Sequence, residues 1–142
     1  MDESAVVKYI TESFGEVHAH NQEGNWFFFY GSDRMFPFAT LMTDDVNDQA
    51  SDLNRPGVFR LNIGVSRKTF KSLFGDEKKE CDFTALDRLM PHPVYARNLW
   101  VCALNTGDET WAALRPLLQE AYATAVDKQA RREAASSRLS SE

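Results

Sequence analysis

Arg60 and Asn62 stand two residues apart in Phe59-Arg-Leu-Asn-Ile-Gly-Val65, where the alternate positions Phe59, Leu61, Ile63 and Val65 are apolar. Both therefore project from one face of a β-strand whose other face is core. A guanidinium offers a two-pronged fork and a carboxamide a donor beside an acceptor, a pair suited to a small anionic or carboxamide ligand. His92 lies between Pro91 and Pro93, with Tyr95 shortly after. The flanking prolines stiffen the backbone that presents the imidazole and the phenol. Arg60, Asn62, His92 and Tyr95 form the candidate ligand-binding set, provided the strand's polar face is open. The alternative is structural: Arg60 pairs with Asp82 or Asp87, and His92 ties its loop down by bonding a backbone carbonyl.

Other chemistry is thinner. His18 and His20 would share one face of a strand, and Asp44 or Asp45 would have to complete a metal site from afar. No Cys-x-x-Cys or His-Glu-x-x-His accompanies them, so they read as loop histidines and no metal or cofactor is expected. Cys102 sits in an apolar run and reads as an inert buried thiol, whereas Cys81 follows Lys78, Lys79 and Glu80 and reads as exposed. No nucleophile elbow, P-loop or Gly-x-Gly-x-x-Gly occurs. Arg67, Lys68, Lys71, Lys78 and Lys79 make a basic stretch, the footprint a nucleic-acid-binding face would need.

Several elements position these residues. Val6, Tyr9, Ile10 and Phe14 form one stripe of a helix over residues 3–14, with Gly15 as its stop. Trp26-Phe-Phe-Phe-Tyr30 reads as a central strand covered on both sides, and residues 36–43 as a second strand opening at Pro37. Arg55-Pro-Gly57 suits a type II turn into the strand of Arg60. Ser66 caps a short helix ending at Gly75, and Thr84 with Asp87 predicts another through Leu89. Leu99 to Leu104 reads as a buried strand. The spacing of Trp111, Leu114, Leu118, Ala121, Tyr122 and Ala125 predicts a final helix, broken or kinked at Pro116. The order predicts one α+β domain over residues 1–128. It has an antiparallel sheet of four to five strands, helices mainly on one face, and a polar, disordered tail over 129–142.

The chain has 142 residues, 43% apolar and 12% aromatic, enough for one core and too apolar for a disordered chain. No run is long enough to span a bilayer, the start Met1-Asp2-Glu3 is unlike a secretory signal, and two cysteines suit a reducing cytoplasm. The net charge of −5 is uneven: Asp44, Asp45, Asp48 and Asp52 make an acidic run that reads as solvated, far from the basic stretch. The total weighs against phosphate-dominated binding.

Five strings carry a resemblance. They are Phe36-Pro-Phe-Ala-Thr40, Asn54-Arg-Pro-Gly-Val-Phe-Arg-Leu-Asn-Ile-Gly64, Asp82-Phe-Thr-Ala-Leu-Asp87, Pro91-His-Pro-Val-Tyr95 and Trp100-Val-Cys-Ala-Leu-Asn105. Together, over about residues 3–128, the chain resembles a bacterial family of unknown function, number 6194. Its second half more faintly resembles the MmcQ/YjbR proteins, with Ala96-Arg-Asn-Leu99 before Trp100 where those carry Asn-Lys-Arg. That resemblance implies an α+β double-wing fold and a DNA-binding role, and neither family brings a catalytic residue. The sequence reading is a non-catalytic small-molecule-binding or interaction module in the cytoplasm, its partner a small molecule or a protein. The alternatives are a nucleic-acid-binding protein and a small enzyme acting through His92.

Overall fold

The computed structural model of the chain describes residues 1–78 and 80–140. In chain order its elements are α1 (Glu3–Ser13), β1 (Val17–Gln22), β2 (Asn25–Tyr30), β3 (Ala39–Met42), β4 (Arg60–Gly64) and α2 (Arg67–Phe74), then β5 (Met90–Pro91), a 3₁₀ turn (Ala96–Asn98), β6 (Trp100–Leu104) and α3 (Asp108–Ser140). The protein is α+β. Its six strands pair antiparallel in the order β1-β2-β3-β4-β6-β5.

The period of two decides the layers. Leu41, Leu61 and Ala103 lie side by side across β3, β4 and β6, as do Ala39, Ile63 and Val101. This face packs on Val6 and Ile10 of α1 and on Trp111, Leu114, Leu117, Leu118 and Ala121 of α3. Phe70 and Phe74 of α2 join the same core, so the helices share one face, as the sequence predicts. The opposite face holds a smaller cluster of Met42, Leu53, Met90, Cys102 and Leu104. A fully buried aliphatic side chain contributes about 1.5–3 kcal/mol, so the helix-side core supplies most of the apolar stabilisation.

Capping follows the sequence at both short helices. Asp2 accepts from the Ala5 N–H at 2.8 Å, and Ser66 accepts from the Thr69 N–H at 3.1 Å. Gly75 (φ 76°) closes α2 with its N–H on the Lys71 carbonyl. The Arg55–Val58 turn closes through the Val58 N–H on the Arg55 carbonyl, with Gly57 at φ 73°.

Four expectations need correction. First, β1 exists where a turn-rich loop was expected, because only Glu23 (φ 54°) and Gly24 (φ 93°) turn, and the residues before them pair with β2. β1 takes the edge, so the aromatic β2 is second in the sheet rather than central; Phe28 and Phe29 are buried and Trp26, Phe27 and Tyr30 half-buried. Second, residues 84–89 form irregular chain with an isolated bridge from Leu86 to Leu104 instead of a helix. Asp82 accepts from the Thr84 N–H and hydroxyl, and Asp87 (φ 57°) accepts the Gly107 N–H at 2.7 Å ahead of α3.

Third, α3 runs through Pro116 unbroken. The proline and Ala112, whose carbonyl it frees, both face solvent, while Leu114, Leu117 and Leu118 hold the helix to the sheet. Fourth, the helix extends to Ser140 where irregular chain was expected, with residues 131–138 exposed; Ser141 and Glu142 lie outside the described residues. Isolated surface contacts contribute little. Truncation after Ala134 is therefore expected to change the folding free energy by less than about 0.5 kcal/mol. Urea denaturation of the two lengths checks this, and a loss above 1 kcal/mol (a threshold chosen for the test) would show that the extension packs.

Candidate functional site

The polar face of β4 is closed. Arg60 is 1% exposed and Asn62 2%, beneath residues 43–58 and 80–95, which are irregular apart from the two residues of β5. Neighbours accept four of the five guanidinium N–H groups. Its Nε donates to Asn62 Oδ1 at 2.9 Å, Nη1 to Asp48 Oδ1 at 3.0 Å and Ser51 Oγ at 2.9 Å, and Nη2 to Asp48 Oδ2 at 2.7 Å. Asn62 Nδ2 donates onward to Thr40 Oγ1 at 3.0 Å. The Arg60 hydrogen bonds hold the Asp48 carboxyl below the usual carboxylate range, against the opposing effect of burial. So Arg60 pairs with Asp48, from the acidic run read as solvated, and with neither Asp82 nor Asp87.

His92 faces this cluster. Its Nδ1 accepts the Val94 and Tyr95 N–H groups, each at 3.0 Å, rather than the ring donating to a carbonyl. That pattern assigns the proton of the neutral ring to Nε2, which lies 3.4 Å from Arg60 Nη2. Burial, then the Arg60 charge, push the His92 pKa down to about 4. A ring with Nδ1 occupied twice and Nε2–H against a guanidinium has no lone pair to offer a substrate. Tyr95 is 54% exposed, its N–H on His92 Nδ1 and its ring centroid 5.0 Å from that of His92. Arg60, Asn62 and His92 thus converge, Tyr95 flanks them, and none lines either of the two clefts described below. Their geometry is that of a lock fastening two irregular segments to the sheet.

The other sequence candidates lie apart. Arg67, Lys68 and Lys71 stand exposed on α2, Lys71 being 3.4 Å from Asp76, and Lys78 is exposed beyond it; Lys79 lies outside the described residues. His18 and His20 occupy β1, not a loop, on its exposed face with ring centroids 6.5 Å apart. Among the described residues no group of three or more His, Cys, Asp or Glu could hold a metal ion. Cys102 is buried, which pushes its thiol up to about 12, and Cys81 is half-buried.

Two clefts remain. The larger, about 970 Å³, lies between the start of α1, the turn at 53–59 and residues 86–87 and 105–107. Most of its polar groups are hydrogen-bonded, the buried Thr106 Oγ1 being an exception. Asp2 and Asp87 accept backbone N–H groups, Arg55 donates to the Asp52, Ser51 and Thr84 carbonyls, and Asn105 Oδ1 accepts the Phe59 N–H.

The smaller cleft, about 230 Å³, differs. Gly64 and Trp100, paired across β4 and β6, line it together with Tyr30, Phe36, Phe38, Ser66 and Asn98. The α3 residues Ala121, Thr124, Ala125, Lys128, Gln129 and Arg132 line it as well. Glycine at 64 admits the indole, because a Cβ there would come within 3.3 Å of the ring. Leu99, in the left-handed region at φ 67°, turns the chain into β6 at Trp100. Asp33 fastens the Phe36 loop. Burial raises its pKa, but the Met35 and Phe36 N–H groups and Arg132, 3.4 Å away, outweigh this and leave the carboxyl below its usual range. Asn98 and Lys128, both exposed, stand at its rim. The sequence reading missed this cleft. Its residues come from five segments spread over a hundred positions, and no spacing links them.

No curated protein and no solved structure matches the chain, and the MmcQ/YjbR resemblance draws no support from them. Residues 1–134 match a family described as a family of unknown function, DUF6194, in agreement with the resemblance carried by the five strings. With nearly its whole length matched, the chain belongs to the family of unknown function DUF6194.

Proposed function

We propose that this protein is a non-catalytic small-molecule-binding module and that its ligand occupies the smaller cleft. One observation supports the reading: this cleft is concave, with Tyr30, Phe36 and Phe38 in its lining and Lys128 at its rim, whereas the set around Arg60 is closed off and lines neither cleft. Concave, largely apolar sites with a few placed polar groups are where small molecules bind. Two free thiols support a reducing, cytoplasmic setting, and among the described residues no helix is long and apolar enough to cross a membrane.

Proton–nitrogen NMR of the three tryptophan indoles tests the reading, with a mixture of single-ring aromatic fragments as probe. The Trp100 signal is expected to shift saturably while those of Trp26 and Trp111 stay. Thr124→Phe, which fills the cleft from an exposed helix position, is expected to abolish the shift. Fragments that move other signals and leave Trp100 unchanged would sink the proposal. The exposed cations of α2 favour a second reading, nucleic-acid binding along that helix. It requires duplex DNA binding that weakens with salt and is lost when Arg67, Lys68 and Lys71 become glutamine.

A further inference from the structure

We infer that His18 and His20 together chelate one divalent transition-metal ion of the zinc, nickel and copper class, at a site on the sheet edge separate from both clefts. The two histidines stand on β1 at i and i+2, so both imidazoles rise from one face of the strand. Both are exposed, and β1 is an edge strand, so an ion reaches them from solvent. Every residue of β1 pairs with β2. The backbone carrying the two ligands is therefore fixed before an ion arrives, and chelation costs chiefly side-chain freedom.

Strand register sets what lies beside the imidazoles. His18 is opposite Phe29 and His20 opposite Phe27, with ring centroids 6.4 and 6.5 Å apart. The two imidazoles run near-parallel, 17° between their planes, with centroids 6.5 Å apart. Imidazoles on adjacent positions of one ion have centroids roughly 5 Å apart when each metal–nitrogen bond is about 2.0–2.1 Å. Rotation of two exposed side chains closes that gap and leaves the pairing of β1 with β2 untouched.

The ligand type selects the ion. Imidazole suits Zn²⁺, Ni²⁺ and Cu²⁺, whereas Mg²⁺ and Ca²⁺ require oxygen ligands. The cross-strand neighbours are phenyl rings, and Asp44 and Asp45 are hydrogen-bonded to Asn25 and Asn54. Among the described residues no group of three or more His, Cys, Asp or Glu gathers to complete a shell. Water fills the other positions of the bound ion, so the site is open, unlike the closed four-ligand sites that hold a fold together.

The test titrates the full chain with Zn²⁺ and, separately, Mg²⁺, following the ring signals of the three histidines by NMR. Zn²⁺ is expected to shift the His18 and His20 signals together and saturably, and Mg²⁺ to move neither. The His92 signal is expected to stay, its Nδ1 being occupied by two backbone N–H groups. His18→Gln and His20→Gln, both at exposed positions, are each expected to weaken Zn²⁺ binding about tenfold, because the second imidazole acts as an intramolecular ligand. Three results would overturn the chelate: a shift of one of the two signals alone, an affinity within about twofold of the parent in either variant, or no shift at about 1 mM Zn²⁺.

Discussion

Replacing Asp48 with alanine is expected to cost about 3 kcal/mol of folding stability. Removal of one partner from a buried ion pair costs roughly 3–5 kcal/mol, because the other charge stays behind without compensation. Here the residue left behind is Arg60, whose side chain is 2% exposed. The lower end of the range applies because Asn62 Oδ1 and Ser51 Oγ still accept from the guanidinium. Arg60→Met removes the stranded charge, so Asp48→Ala in that background is expected to cost under about 1 kcal/mol. Urea unfolding of the four chains at neutral pH measures the coupling. A single-mutant cost below 1 kcal/mol (again a threshold chosen for the test) would show that the pair does not hold the covering segments down. The pair's contribution also depends on pH. The Asp48 pKa is lowered in the fold, so its stabilisation is present above the ordinary value of 3.8 and is lost as pH falls through the lowered value.

His92 gives the second large effect, with its own pH window. Its pKa falls from 6.5 in the unfolded chain to about 4 in the fold. Below pH 6.5 the unfolded chain binds a proton that the folded protein refuses, so stability is full above that value and drains away towards pH 4. The loss across the window is about 3 kcal/mol at most. His92→Asn tests this with little disturbance of the loop. Asparagine Oδ1 branches from the same side-chain position as Nδ1 and can take the Val94 and Tyr95 N–H groups as an Asx turn does. The variant is expected to show a flatter stability profile between pH 6.5 and 4, and parallel profiles would contradict the assignment of a neutral, buried ring.

Much of the fold was legible because its core obeys a simple period. The alternation from Phe59 to Val65 located β4, the stripe from Trp111 to Ala125 located α3, and Ser66 and Gly75 bounded α2. What periodicity could not show was the cover on the second face of the sheet. Apart from the two residues of β5, residues 43–58 and 80–95 are turns, bends and irregular chain, so nothing in their pattern announces that they bury Arg60. Asp48 looked like one more acid in a solvated run, and only its place opposite a buried guanidinium gives it a role. The arginine, asparagine and histidine do meet in the fold. Their chemistry is spent mostly on one another and on Asp48 and Ser51, and none of the three lines a cleft.

The last helix also sets the dimensions of the molecule. At 1.5 Å per residue, the 33 residues of α3 span about 50 Å. A compact chain of 142 residues has a radius of gyration near 14.5 Å, which corresponds to a sphere about 37 Å across. The helix is longer than the body it braces, and its exposed end projects as a rod from a small globule. In solution scattering that rod adds pair distances beyond the globule's diameter and lifts the radius of gyration above that of a sphere of equal mass.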